Sequence, residues 1–421
     1  MRRYISALLI VLVLMQTSAF LNGCDKVEPT LPDQSTDLPA ALPTTTDAPS
    51  LEENIYREDY QQFWEILETD YPFLPWLADN GTDIDAIRAK YEAQLDQIQD
   101  TMEFFDLIQS VCDDLDKLGH LWPVGPERYQ SLYSIYCEYP EYSTLPELWI
   151  YRKMLTDPGL SPIYQPASQT EGQQAPDADI PDVKVTYYQD CKALCLTIDS
   201  FKTPVLERDQ NVLTDALREY PDAEHIIFDI TGNGGGDDSY WRNNLVLPLG
   251  GNPQAMGGRV FYRSTPFLAQ YYYTFDYASV PVSELKDVPD WVGEMKLDRC
   301  NSWEGVETQT PDAGTETIPG SNARRWVLVS PTVYSSAEKF TIFCQYTGWA
   351  TVVGSPTGGD GIGGSPVYAK LDQTGLLFQF TGMVGENPVT GMPSACQGTI
   401  PDYIADDALE ACLELIRGGV S

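Results

Sequence analysis

The sequence predicts an α/β fold with a helical N-terminal region ahead of a strand-and-helix core. From residue 183 onward, short apolar runs rich in β-branched residues alternate with helix-like stretches, bounded by glycine and proline turns. Between Tyr56 and Leu118, apolar residues recur instead at helical spacing. With 421 residues and 43% hydrophobic content, the chain can bury a substantial core. The formal charge is −36, from 62 acidic against 26 basic residues, and no basic cluster is visible. That argues against nucleic acid as a partner and says little about fold.

The N-terminus points to export. Arg2-Arg3 is a basic start, and Ile5 to Leu14 is an apolar run too short to span a bilayer. Leu21-Asn22-Gly23-Cys24 resembles a bacterial lipobox, in which the cysteine is lipidated and becomes the mature N-terminus. Residues 1–23 are therefore read as a lipoprotein signal peptide, and Cys24 as the lipidation site. The expected place is the cell envelope, lipid-anchored to the membrane on its extracytoplasmic side. The plainer alternative is an ordinary secretory signal. Residues 24–55, rich in Pro, Thr, Asp and Ser, read as a disordered tether.

Tyr60, Phe63, Trp64 and Leu67 open a helical region over 56–125, with further amphipathic runs at 84–98 and 102–118. Thr101, followed by Glu103, suggests an N-cap for the last run. It ends at Leu118-Gly119-His120, where Gly119 suits a left-handed cap and leaves His120 on a turn. Residues 126–182 read as a linker or excursion. The core, 183–421, begins with paired strands at 183–187 and 193–199. A helix follows at 208–220, then a buried strand at 225–230. Residues 251–320 give few regular signals. Strands are expected at 350–353 and 376–380, with a closing helix over 405–416.

Two turns carry candidate chemistry. Thr231-Gly232-Asn233-Gly234-Gly235-Gly236 follows the 225–230 strand. It lacks the spacing of a P-loop or dinucleotide fold, but its backbone can approach a substrate carbonyl and donate N–H groups. Ser335-Ser336-Ala337-Glu338 lies where the buried strand Trp326–Val329 gives way to a helix, beside unpaired helix N–H donors. Ser335 reads either as an N-cap or as a nucleophile. His120, taken alone, reads either as structural or as a base. Zinc is not expected, because CxxC pairs are absent and only two histidines exist. Eight cysteines remain besides Cys24, and export would permit disulfides whose pairing the sequence leaves open.

Together these blocks resemble the S41 peptidases, the tail-specific or C-terminal-processing serine proteases, in their tricorn-like branch. "LDKLGH" ending at His120 is similar to the family's "L..L.DGHT", and "IIFDITGNGGG" ending at Gly236 to "vIDLRgNgGG". "VYSSAE" ending at Glu338 is similar to "..SASE", and "VVGSPTGGDG" with "GTIPD" to "VVGe.T.G.G" and "G..PD". The resemblance implies a ClpP/crotonase-like spiral core and places the nucleophile at Ser335, with Ser336 at the motif's alanine position. The lysine of the Ser–Lys branch is absent, since Gly359-Asp360-Gly361 stands there. The implied base is therefore His120, whose imidazole suits neutral pH. Ser394-Ala395-Cys396-Gln397 stands where the family's acid is found, which leaves Glu386, the assigned residue, or Asp360 to orient His120. Gly235 (or Gly234) and Ser336 are the implied oxyanion donors. The tricorn serine next to the histidine is here Gly119, and no PDZ module is evident.

The expected protein is thus an exported, membrane-tethered serine endopeptidase acting on peptides or proteins, with no cofactor. The alternative, fed by the missing acid, is a catalytically impaired relative that binds peptides or hydrophobic ligands.

Overall fold

A six-stranded sheet forms the centre of the computed structural model, in the order β13-β9-β8-β4-β3-β2. Its strands are β2 (Val183–Tyr188), β3 (Ala193–Ile198), β4 (His225–Asp229), β8 (Arg324–Val329), β9 (Thr351–Gly354) and β13 (Tyr403–Ile404). Only the β2–β3 pair is antiparallel. Parallel strands are covered on both faces, which is why their sequences read as continuous apolar runs. Ile227, Trp326, Leu328 and Val353 pack beneath Ala408, Cys412, Leu413 and Ile416 of the closing helix Ala408–Arg417. The alternate residues Ile226, Phe228, Val327 and Val329 face the main core. Each such side chain contributes about 1.5–3 kcal/mol by leaving water.

The structure describes residues 54–165, 183–202, 206–249, 255–276, 279–305 and 322–420. The expected signal peptide, Cys24 and the tether lie outside these residues, except for the last two positions assigned to the tether. Ile55–Ser421 forms one unit by its contacts. Among the described residues no helix is long and apolar enough to cross a membrane, and the eight remaining cysteines are free thiols.

The helical region 56–125 does not stand apart from the core. Phe63 on helix Ile55–Asp70 packs edge-on against Phe378, with ring centroids 4.9 Å apart. Asp59 on the same helix accepts the backbone N–H groups of Gln373 and Thr374. β1 (Trp122–Pro123) then joins β11 (Leu377–Phe380) and β10 (Val367–Lys370) in a three-stranded antiparallel sheet, order β1-β11-β10.

Three sequence expectations need correction. The N-cap of helix Thr101–Asp114 is Asp100, which accepts from Met102 and Glu103 N–H while the Glu103 carboxylate accepts from Gln99 N–H. The N-cap thus lies one residue earlier than expected. Residues 126–164, read as linker, hold short helices such as Pro126–Tyr133 and Trp149–Leu155 that bury Tyr129, Leu132, Ile150 and Leu155. Residues 256–305, read as irregular, form most of a second antiparallel sheet, order β12-β5-β7-β6. Its strands are β5 (Met256–Tyr262), β6 (Val280–Pro281), β7 (Arg299–Gly305) and β12 (Met383–Gly385).

Candidate active site

Ser335 sits in the tight turn between β8 and helix Ser336–Thr347, with φ 56° and ψ −124°. Such a positive φ is strained for any residue but glycine. It occupies the N-cap position, yet its hydroxyl makes no capping hydrogen bond. The N-cap reading of Ser335 therefore does not hold. A strained serine at a strand-to-helix turn, its hydroxyl unused, is the geometry of a nucleophile elbow.

His120 reaches the same region from the other side of the chain. After helix Thr101–Asp114 the backbone turns left-handed at Asp116, Lys117, Gly119 and His120, with φ between 53° and 59°. Gly119 is held close on both sides. A Cβ there would lie 2.3 Å from the Phe73 ring, and its carbonyl accepts Thr381 N–H at 2.6 Å. His120 is 9% exposed. Its Nδ1 contacts Asp360 Oδ2 at 2.5 Å and Thr381 Oγ1 at 3.0 Å. Nε2 is thereby the nitrogen left to exchange a proton with a neighbour. The imidazole centroid lies 4.7 Å from the Tyr334 ring, the residue that leads directly into Ser335, and 5.3 Å from that of Trp122.

The acid at His120 is Asp360, and the assignment to Glu386 is corrected. Glu386 instead grips Arg259 on β5, accepting from Nε at 2.6 Å and from the second guanidinium nitrogen at 2.8 Å. A bidentate pair of this kind is satisfied by its cation and is not free to orient an imidazole. Asp360 is itself in a left-handed turn, φ 57°, and its side chain is almost wholly buried. Its turn is held by Ser394, whose carbonyl accepts Asp360 N–H at 2.8 Å and whose hydroxyl accepts Ile362 N–H at 2.9 Å. The stretch that lacks a carboxylate thus supports the turn that supplies one. Asp360 Oδ2 also accepts from the hydroxyls of Tyr334 at 3.1 Å and Thr381 at 3.2 Å. Tyr334 and Thr381 are site residues that sequence reading missed. Thr381 lies just beyond the predicted 376–380 strand, and that position was its only signal.

The glycine turn abuts the serine, but not as expected. A Cβ on Gly235, φ 109°, would lie 2.8 Å from the Tyr334 carbonyl, 2.9 Å from Ser335 Cβ and 3.0 Å from Ser336 N. Gly235 N–H, however, donates to Asn233 Oδ1 at 2.8 Å. Its assignment as an oxyanion donor is corrected accordingly. Asn233 is fully buried and also donates to the Ile198 carbonyl at 3.0 Å, so it fixes the turn to β3. The N–H groups of Gly234, Gly236 and Ser336 have no acceptor among the described residues.

Ser336 is committed elsewhere through its side chain. Its hydroxyl donates to Asp238 Oδ1 at 2.8 Å, and Lys339 donates to Oδ2 at 2.5 Å. Burial pushes the Asp238 carboxyl up, but Lys339 and Arg242 outweigh it and hold the group below the usual carboxylate range. Glu338, in the first turn of the same helix, is fully buried. Its Oε1 accepts from Thr399 N–H at 3.0 Å and Thr399 Oγ1 at 2.7 Å, and burial pushes its carboxyl up to about 7. His225, given no chemistry from sequence, accepts from Trp326 Nε1 at 3.2 Å at the start of β4. Among the described residues no group of three or more His, Cys, Asp or Glu could hold a metal ion.

Two family models match this chain. Peptidase family S41 covers residues 192–404, and the tricorn protease C1 domain covers residues 53–112. Among solved structures, a candidate peptidase from Parabacteroides merdae is 18% identical with a TM-score of 0.50, over 86% of this chain and 96% of that one. Mature CPAF is 11% identical with a TM-score of 0.51, over 87% and 99%. Mature CPAF complexed with lactacystin is 12% identical with a TM-score of 0.50, over 87% and 98%. At these identities the likeness establishes the fold. A search of curated proteins finds no significant match.

Proposed function

Since this chain belongs to peptidase family S41, we propose that it is a serine endopeptidase working through Ser335, His120 and Asp360. Ser335 Oγ attacks the scissile carbonyl while His120 Nε2 takes its proton. Asp360 holds the Nδ1–H tautomer and stabilises the imidazolium. The tetrahedral oxyanion is received by Ser336 N–H and by an N–H of the glycine turn from Gly234 or Gly236. Each donor contributes about 3 kcal/mol. Collapse expels the amine, which takes the proton from His120. Water then repeats the sequence to release the acid. The single observation that carries this reading is the Asp360–His120 contact beside the strained Ser335 turn. It also weighs against the non-catalytic binding protein, a reading that rested on a missing acid.

The direct test is labelling with a fluorophosphonate, with peptide hydrolysis measured alongside. Ser335→Ala should lose both label and turnover, and Ser336→Ala should keep most of each. Labelling that survives Ser335→Ala and disappears in Ser336→Ala would move the nucleophile by one residue.

We further propose that the enzyme is exported and tethered through lipid on Cys24, on the strength of the short apolar run and the lipobox-like site. Mass spectrometry of the mature N-terminus decides this, since an unmodified terminus at any other residue refutes it.

A further inference from the structure

Tyr334 touches every part of the site without a task in the mechanism above. Its hydroxyl donates to Asp360 Oδ2 at 3.1 Å and accepts His120 backbone N–H at 3.2 Å. Its ring lies 4.7 Å from the imidazole, and its backbone continues into Ser335. Its carbonyl accepts Ala337 N–H at 3.1 Å, in the first turn of the nucleophile helix.

We propose that Tyr334 is a positioning residue, which fixes His120 and Asp360 against the Ser335 turn and moderates the basicity of His120 by sharing the charge of Asp360. The proposal rests on the peptidase reading. A carboxylate that accepts several hydrogen bonds carries its charge more stably, so it draws the imidazolium less strongly. The backbone contact meanwhile locks a left-handed residue, His120, whose φ of 55° would otherwise relax. Burial and the nearby Asp360 charge push the Tyr334 phenol well above its ordinary value, so it remains a donor at all working pH values.

The hydrogen bonds of the His120 ring and of the Asp360 carboxylate run to each other, to Tyr334 and to Thr381. Glu338, Cys396, Tyr71 and Tyr272 are the other titratable groups whose charge couples to Asp360. Glu338 titrates near the range of interest, so the test is repeated in a Glu338→Gln background.

The chain has two histidines, so the titration of His120 can be followed by NMR in the full protein, with His225→Gln to assign the signals. In Tyr334→Phe the His120 signals should report proton uptake displaced to higher pH, because Asp360 loses a donor. The acid limb of the kcat/KM profile should move up by the same amount. kcat should fall about 10–100-fold with KM within about twofold, as for a misplaced catalytic group. Placing 3-fluorotyrosine at position 334 keeps the ring and strengthens the donor, so it should move the pKa down. That second variant decides the question if Tyr334→Phe fails to fold. An unmoved His120 pKa in either folded variant overturns the proposal, even if kcat falls, because a merely structural tyrosine would give that result. The NMR readout needs no turnover. Failure of the peptidase reading would appear separately, as hydrolysis that does not depend on Ser335.

Discussion

The backbone N–H of Ser335 donates to the carbonyl oxygen of Gly359 at 3.0 Å. The Ser335 turn is therefore bonded to the residue that precedes Asp360. The neighbouring Gly358 N–H donates to Val333 O at 2.8 Å, so two hydrogen bonds stitch the turns together. His120, Ser335 and Asp360 all adopt φ between 55° and 57°. Each is a strained position for a residue with a Cβ, stabilised only by what surrounds it. The site is held by backbone as much as by side chains.

Asp360→Asn should test the acid assignment. The amide keeps the volume but favours the wrong imidazole tautomer, and kcat should fall about 10³–10⁴-fold with KM little changed. Glu386→Gln should leave kcat near its original value. It should instead cost about 1–2 kcal/mol of stability by weakening the partly buried Arg259 pair. Steady-state kinetics with denaturant unfolding on both variants separates the two carboxylates. The opposite pattern would restore Glu386 as the acid.

Gly235→Ala should abolish most turnover. The added Cβ has no room against Tyr334 O and Ser335 Cβ, and φ 109° is unfavourable for alanine. Ser335 or the glycine turn must shift, and a shift of about 1 Å costs roughly 100-fold in kcat. Asn233→Ala should act differently. It frees Gly235 N–H and leaves the Ile198 carbonyl without its side-chain donor, costing about 1–3 kcal/mol in stability. Comparing kcat with melting temperature for the pair shows whether the turn is catalytic in shape or only structural.

Gly119→Ser would restore the serine that the tricorn-like motif carries beside its histidine. The side chain would run into Phe73 at a left-handed backbone position. Overpacking and the positive φ together should cost about 2–4 kcal/mol, with no gain in kcat. A stable, faster variant would mean that the turn accommodates the family's serine after all. Thermal unfolding and kinetics decide.

What the sequence revealed followed from burial. β4 and β8 sit between layers, so Ile226-Ile227-Phe228 and Trp326-Val327-Leu328-Val329 are uninterrupted apolar runs that no other element explains. β5 and β7 escaped notice because Met256-Gly257-Gly258-Arg259 and Asn301-Ser302-Trp303-Glu304 lack a clear alternation. The helices of 126–164 were hidden by their prolines. Pro126 and Pro140 each sit in the first turn of a short helix, where the missing N–H costs nothing. For the site, motif spacing could point to Ser335 and His120, which lie far apart in the chain. It could not choose between Asp360 and Glu386. That choice depended on Arg259, 127 residues before Glu386, capturing one of them. Tyr334 was invisible because an aromatic beside a core strand is ordinarily packing.

Glu338 gives the last prediction, on stability rather than rate. Its folded pKa of about 7 exceeds the ordinary 4.5 because burial disfavours the carboxylate. The sign follows by linkage. Below about 4.5 the group is protonated in both folded and unfolded chains, and folding carries no penalty. Between about 4.5 and 7 the unfolded chain releases its proton while the folded one keeps it, so stability falls as pH rises. Above about 7 both are ionised, and the full penalty of about 3 kcal/mol is present. Glu338→Gln removes the titration and keeps an oxygen for Thr399 N–H and Oγ1–H. Denaturant unfolding from pH 4 to 8.5 should show the variant about equal to the parent in acid and more stable by up to about 3 kcal/mol in mild base. A parent–variant difference that stays constant with pH would place the Glu338 pKa in the ordinary carboxylate range and sink the prediction.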